Sequence, residues 1–270
     1  MKKRIARREL RPGKLSVFAA LAAMMLAVPL APRATSHPKR ESLIVSAAVS
    51  LTGSLQSIKS IYGQLHPNVS IALNLGASGI LQQQIEEGAP ADIFISASPR
   101  EMNALEERGL LLGATRRNLL TNTLVLITPP GRDGIASFRD LLRPEVKRLA
   151  MANPESVPAG LYARQTLEYF KIYRQLQPKI IRAGDVRQAL AYVETGDADA
   201  GIVYLTEARL SSKVRVAAEA PASSHDAIVY PVAVIERSRH AAAAEEFVRF
   251  LETPEAKKIF EREGFQPFSR

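Results

Sequence analysis

The chain has 270 residues, no cysteine and a formal net charge of +9. Without cysteine we expect no disulfide bond, no thiol catalysis and no lipid anchor on an N-terminal cysteine. Residues 1–34 hold eight Lys and Arg but one Glu, so the remainder carries a net charge of only +2. That balance shows no basic face of the kind that nucleic-acid binding needs, and no nucleic-acid partner is expected.

The N-terminal segment has the pattern of an export signal. Basic residues are followed by an apolar run from Leu15 to Leu30, which carries no charge, and then by Ala31-Pro32-Arg33-Ala34. The run is short for a membrane span but typical of a secretory signal peptide. We therefore predict a signal peptide over residues 1–34 and an exported product that is soluble in the periplasm.

The rest of the chain alternates between strand-like and helix-like segments. Helices are predicted from apolar residues at helical spacing, as in Val186, Leu190 and Val193, and this alternation predicts an α/β fold. The predicted strands are Leu43–Ala47, Val69–Leu75, Asp92–Ala97, Leu124–Thr128, Arg148–Ala152, Lys179–Ala183, Ala200–Tyr204, Val214–Ala217 and Ile228–Ile235.

Two of these strands suggest a division into lobes. A self-contained βα stretch lies between Leu124–Thr128 and Tyr230–Ile235. We predict that residues 40–127 plus 230–270 form one lobe and residues 128–229 the other, with two crossing strands as the hinge. The ligand cleft is then expected between the lobes, at the carboxyl ends of the strands.

Four strand-to-helix corners, two in each predicted lobe, consist mainly of small neutral residues. At a helix N-terminus the first backbone N–H groups lack intrahelical acceptors and the helix dipole is positive, which suits an anion. Taken singly, each corner is better explained by an ordinary helix cap or, for Pro158-Ala159-Gly160, by a turn. Their recurrence favours an anion site built from the corners Ala47–Ser54, Gly76–Gly79, Pro154–Gly160 and Gly184–Arg187.

The motifs around these corners resemble those of the molybdate-binding periplasmic proteins of ABC importers, which are class II periplasmic solute-binding proteins. The resemblance covers nearly all of the chain after the predicted signal. The matching segments are Ala47-Ala48-Val49-Ser50-Leu51, Ala77-Ser78-Gly79, Glu87–Ala97 (EGAPADIFISA), Pro154-Glu155-Ser156-Val157-Pro158-Ala159-Gly160, Gly201-Ile202-Val203-Tyr204 and Tyr230-Pro231-Val232-Ala233-Val234.

The resemblance implies a two-lobed α/β fold, no enzymatic activity, no cofactor and no bound metal cation. The implied ligand is molybdate or tungstate, and the implied partners are the membrane permease and ATPase of an ABC importer; a monomer is expected. A fully deprotonated oxyanion needs only donors. The implied contacts are the hydroxyl and amide of Ser50, the same groups of Ser78, the amides of Ala159 and Val186, and the phenol of Tyr204.

The sequence departs from the family pattern at two positions beside the implied contacts. Val49 stands where the family usually has a smaller residue, and Gly79 follows Ser78 where a second hydroxyl is often found. Neither change removes an implied donor. Arg187 is expected to be a solvated charge on a helix face, outside the anion contacts.

Other functions remain as alternatives. A receptor for sulfate or phosphate needs the same donors, and discrimination would depend on the size of the cavity. An exported hydrolase is disfavoured because the residues around Ser78 lack the second glycine of a nucleophile elbow, and His66, His225 and His240 lie in no motif of a catalytic base. A sensory domain would need an output segment that the sequence does not show.

Overall fold

The computed structural model describes residues 41–269. The predicted signal peptide lies outside these residues. Within them, no helix has the length and apolar character needed to cross a membrane.

The described elements alternate along the chain as predicted. The strands are β1 (Glu41–Ala48), β2 (Val69–Gly76), β3 (Ile93–Ile95), β4 (Arg117–Thr121), β5 (Leu124–Thr128), β6 (Leu149–Ala152), β7 (Ile180–Ala183), β8 (Ala200–Tyr204), β9 (Arg215–Glu219), β10 (Val229–Val234) and β11 (Gln266–Pro267). The α-helices are α1 (Thr52–Leu65), α2 (Ser78–Glu86), α3 (Pro99–Glu107), α4 (Pro158–Tyr169), α5 (Tyr173–Leu176), α6 (Val186–Glu194), α7 (Leu205–Arg209), α8 (Ala241–Leu251) and α9 (Pro254–Arg262).

The strands form two sheets. The first has the order β11-β4-β10-β3-β1-β2 and the second has the order β7-β6-β8-β5-β9. The neighbouring strands β3, β1 and β2 of the first sheet are parallel, as are β7, β6 and β8 of the second. Every other pair of neighbouring strands is antiparallel. Strands β5, β6, β8 and β10 are buried at every residue. Such continuous burial is typical of strands covered by helices on both faces of a sheet.

The predicted α/β class is confirmed, and each predicted strand is present with its ends within two residues of the prediction. Strands β4 and β11 were not predicted. β4 begins with Arg117 and Asn118 and lacks a clear alternation, and β11 has only two residues. Pairing with neighbouring strands defines both: β4 with β10, and β11 with β4.

The chain passes between the sheets twice, once at residues 122–123 and once at residues 220–228. The first change of sheet comes before Leu124, whereas the predicted lobe boundary followed residue 127. The reason is that β5 pairs with β8 and β9, and so belongs wholly to the second sheet. β10 follows the second passage and belongs to the first sheet.

Candidate functional site

A small cavity lies where the carboxyl ends of strands from both sheets meet. Its volume is about 210 Å³, including the part that opens to solvent. The wall consists of Ala48, Val49, Ser50, Gly76, Ala77, Ser78, Ala97, Val157, Pro158, Ala159, Val186 and Tyr204. Residues at the ends of strands from both sheets therefore line one small cavity.

The structure brings all five predicted ligand residues to this wall. Ser50 lies in a short 3-10 helix, Val49–Leu51, that leads into α1, and the other four lie at element ends. Ser78 and Val186 are the first residues of α2 and α6, Ala159 is the second residue of α4, and Tyr204 is the last residue of β8. Contact of these residues with a ligand remains a prediction.

A side-chain helix cap is present at the start of α6 but not at the starts of α2 and α4. Asp185 caps α6, since its carboxylate accepts a hydrogen bond from the amide of Gln188 at 2.8 Å. By contrast, the residues before α2 and α4, Ala77 and Val157, cap nothing through their side chains. The N-terminal amides of α2 and α4 therefore receive no side-chain cap, and they begin at the cavity wall.

The hydroxyl of Ser78 is oriented by a backbone contact. Its Oγ accepts a hydrogen bond from the amide of Ala97 at 3.0 Å, and the side chain is buried. A hydroxyl has a single hydrogen, and this bond does not use it. Ser78 is therefore free to donate that hydrogen into the cavity.

Tyr204 presents a buried phenol without a hydrogen-bond partner in the described part of the chain. Its side chain is 1% exposed. Burial, with a smaller contribution from Tyr230, raises the pKa of this phenol well above its usual value, so it remains a donor at neutral pH. An unsatisfied buried donor costs about 1–3 kcal/mol, which an acceptor inside the cavity would offset.

The described wall contains no charged side chain, and Arg187 lies outside it. Arg187 is only partly exposed, and its Nε is enclosed without a hydrogen-bond partner among the described residues. The expectation of a solvated helix-face charge is therefore wrong. Burial raises the pKa of the Glu207 carboxyl, and the guanidinium of Arg187 lies close enough to oppose part of that rise.

Glu207 is a fully buried carboxyl in α7, close behind the wall residue Tyr204. Burial is the largest influence on it and raises its pKa from 4.5 to about 7. The Thr206 hydroxyl, which donates to Oε2 at 2.9 Å, and Arg187 oppose this effect, whereas Asp185 adds to it. Glu207 thus changes charge near neutral pH in the folded protein.

We expect Glu207 to make the ligand-free protein less stable as the pH rises. Between pH 4.5 and 7 the unfolded chain binds fewer protons at this group than the folded chain, so the loss develops as the pH rises through this window. The expected loss between pH 5 and pH 8 is about 2–3 kcal/mol. Urea unfolding at both pH values should show that Glu207→Gln lacks this part of the pH dependence; equal dependence in variant and wild type would contradict the assignment.

Sequence reasoning missed several features around the cavity. It placed Gly160 at a corner of the predicted anion site, whereas Gly160 lies in the first turn of α4, packed against the carbonyl of Ala152. It also gave no role to Tyr230, although the Tyr230-Pro231 pair belonged to a matched motif. Asn122, at the first passage between the sheets, had no local signal that could have identified it.

The chain has relatives with named functions. Proteins named molybdate-binding protein ModA are 39% identical in Escherichia coli, over 83% of this chain and 88% of that protein, and 37% identical in Haemophilus influenzae, over 82% and 88%. The solved periplasmic molybdate-binding protein of Azotobacter vinelandii is 25% identical, with a TM-score of 0.76, over 84% of this chain and all of that chain.

A family model described as bacterial extracellular solute-binding protein matches residues 43–266. This match spans both sheets and every residue of the cavity wall. The predicted resemblance, and the prediction of a solute-binding protein rather than an enzyme, are confirmed. The chain belongs to the family of bacterial extracellular solute-binding proteins.

Proposed function

We propose that this protein binds molybdate in the cavity and delivers it to an ABC importer. One observation carries the proposal: the cavity wall brings together the buried hydroxyl-bearing residues Ser50, Ser78 and Tyr204 and the N-termini of helices. Among the described residues, this wall contains no charged side chain. A fully deprotonated tetrahedral oxyanion needs donors on every side and no acceptor. Charge-assisted hydrogen bonds and helix N-termini together can hold such a dianion without a counter-ion.

The names of the relatives support molybdate as the ligand. Both bacterial relatives named above are molybdate-binding proteins and cover most of this chain. We propose tungstate as a second ligand, because it has the same shape and charge. Sulfate has the same shape and charge but is smaller, so it should make weaker contacts than molybdate with walls that close around the larger anion.

Contacts between the two sheets support closure around the ligand. The amide of Gly79, in α2, donates to the carbonyl of Ser156 at 3.0 Å, and Arg100, in α3, donates to the carbonyl of Glu155 at 2.8 Å. Both donors follow strands of the first sheet, and both acceptors follow β6 of the second sheet. We propose that the lobes open to admit the anion and that these contacts form when they close.

We propose that the mature protein is a periplasmic monomer after removal of residues 1–34. The closed form would present both lobes together to the permease and ATPase of the importer. Differential affinity of the anion for the closed form would drive this change. Solution scattering is expected to show a more compact particle with molybdate than without it.

Calorimetric titration with molybdate, tungstate, sulfate and phosphate tests the proposal. We expect one molybdate per chain and a raised melting temperature, because a ligand that binds only the folded state stabilises it by about 4 kcal/mol at a thousandfold excess over Kd. Tyr204→Phe should weaken molybdate about tenfold. The matched control, Tyr169→Phe, removes the hydroxyl of an exposed tyrosine and should change nothing.

The same titration separates the alternatives. Tight binding of sulfate or phosphate without molybdate binding would assign the cavity to another oxyanion. Absence of binding by all four anions would refute the proposal.

A further inference from the structure

A chain of hydrogen bonds runs from the first passage between the sheets to Ser50. Nδ2 of Asn122 lies 3.3 Å from the hydroxyl of Tyr230, and that hydroxyl lies 3.1 Å from Oγ of Ser50. Asn122 begins the passage at residues 122–123, whereas Tyr230 lies in β10. Three segments that are far apart in the sequence therefore meet behind one wall of the cavity.

The contacts of Asn122 fix the orientation of its side-chain amide. Oδ1 accepts from the amide of Thr123 at 2.9 Å, so the NH2 group faces the other way. That group donates to the hydroxyl oxygen of Thr206 at 3.0 Å, and Thr206 uses its own hydrogen for Glu207. The remaining hydrogen of the amide is directed to Tyr230.

The direction of the hydrogen bond between Tyr230 and Ser50 follows from the need of the buried phenol hydrogen for an acceptor. Tyr230 is fully buried, and its oxygen accepts from Asn122. Among the described residues, Ser50 is the one remaining partner of that phenol, so the phenol hydrogen goes to the Ser50 oxygen. Burial raises the pKa of Tyr230, so the phenol keeps this hydrogen.

We propose that Asn122 and Tyr230 are positioning residues that fix Ser50 as a donor into the cavity. The inference rests on the proposed function, since it assumes that an anion accepts the Ser50 hydrogen. One lone pair of the Ser50 oxygen accepts from Tyr230, and the Ser50 hydrogen is then directed to the ligand, which meets Ser50 as a donor. An oxyanion that carries a proton, such as hydrogen phosphate, then meets a donor where that proton needs an acceptor, and fully deprotonated anions are favoured.

The proposal predicts that Asn122→Asp reverses the chain. A carboxylate accepts the phenol hydrogen of Tyr230, the phenol oxygen then accepts from Ser50, and Ser50 turns its hydrogen away from the ligand. The added charge also repels the anion, whether or not Ser50 is present. A comparison in the Ser50→Ala background separates these two effects.

The experiment is a set of double-mutant cycles read by calorimetric titration. The anion is whichever of molybdate, tungstate, sulfate and phosphate the wild type binds most tightly. We expect Tyr230→Phe to weaken anion binding about five- to tenfold in the protein that retains Ser50. In the Ser50→Ala background the same change should weaken binding by less than twofold. We expect Asn122→Asp to weaken anion binding by a factor at least five times larger when Ser50 is present than in the Ser50→Ala background. The same variant should have a smaller ratio of phosphate Kd to molybdate Kd than the wild type.

Controls separate positioning from structural damage. Tyr62→Phe removes another buried phenol, one without a hydrogen-bond partner among the described residues, and should leave binding unchanged. Thermal unfolding of each ligand-free variant checks its folding, and the Tyr230→Phe cycle is sufficient if Asn122→Asp is unfolded.

The outcomes distinguish this inference from the proposed function. If Tyr230→Phe weakens binding equally with and without the Ser50 hydroxyl, the inference is wrong. The proposal that the protein binds molybdate is not affected by that result. A wild type that prefers another anion overturns the molybdate assignment and leaves the cycle to decide the role of Asn122 and Tyr230. A wild type that binds none of the four anions overturns both.

Discussion

Replacing Gly79 by alanine is expected to weaken molybdate binding about a hundredfold. A Cβ at this position would lie 2.6 Å from the carbonyl oxygen of Ser156 and 3.1 Å from its carbonyl carbon, both backbone atoms of the turn between β6 and α4. The overlap costs about 1–3 kcal/mol, and loss of the Gly79 to Ser156 hydrogen bond costs about 1 kcal/mol more. A total of about 3 kcal/mol in the closed form corresponds to about a hundredfold in Kd.

The ligand-free protein should not lose stability from the same change. Gly79 lies in α2, where alanine favours the helix by up to about 1 kcal/mol relative to glycine. When the lobes are open, the new methyl group no longer meets Ser156. We therefore expect an unchanged or slightly higher melting temperature without ligand, together with weak binding.

Gly63→Ala is the matched control for this prediction. Gly63 lies in α1, and a Cβ there would meet no atom within 4 Å among the described residues outside the adjoining turns of its own helix. Calorimetric titration of this variant should give the wild-type Kd. If Gly79→Ala also binds molybdate as tightly as the wild type, the contact between Gly79 and Ser156 is not part of the ligand-bound state.

Gly160→Ala is expected to destabilise the fold itself by about 3 kcal/mol or more. A Cβ on this buried residue would lie 2.2 Å from the carbonyl oxygen of Ala152 and 2.8 Å from the carbonyl carbon of Asn153. These atoms and Gly160 belong to the same β6-α4 unit, so opening of the lobes does not remove the overlap between the new methyl group and the backbone. Overpacking against backbone costs 1–3 kcal/mol and occasionally more, and here α4 must move away from β6.

Thermal and urea unfolding of the ligand-free protein measure this effect. For a chain of this size, about 3 kcal/mol corresponds to a melting temperature lower by about 6–12 °C. Binding should weaken as well, because α4 carries Ala159 at the cavity wall. An unchanged free energy of unfolding would show that α4 can shift without loss, and Gly63→Ala again serves as the control.

The contrast between these two glycines illustrates what sequence patterns can and cannot distinguish. Gly79 and Gly160 both follow a wall residue at the start of a helix, so their local sequences give them similar roles. Only the partner atoms distinguish them: Gly79 faces the carbonyl of Ser156, in the turn after β6 of the second sheet, whereas Gly160 faces the carbonyl of Ala152 in the strand that precedes its own helix. One is therefore expected to affect binding and the other folding.

The sequence alone determined the α/β class and the predicted strands, because alternating apolar patterns follow local burial. The resemblance of its motifs to the molybdate-binding family also implied Ser50, Ser78, Ala159, Val186 and Tyr204 as contacts, and the structure brings all five to one wall. Each lies where a strand ends or a helix begins, and parallel strands place such ends at one edge of a sheet. The local pattern therefore indicated the corners, and the resemblance to the molybdate-binding family indicated which residues in and near them contact the anion.

Only the tertiary structure decided how the surroundings of these residues are arranged. The bond from Asn122 to Tyr230 joins residues 108 positions apart, and the one from Tyr230 to Ser50 joins residues 180 positions apart. Likewise, the neutral-pH titration of Glu207 and the enclosure of Arg187 depend on which elements cover them. The direction of a hydrogen bond and the pKa of a buried group depend on partners from remote segments, and a local pattern contains no information about those partners.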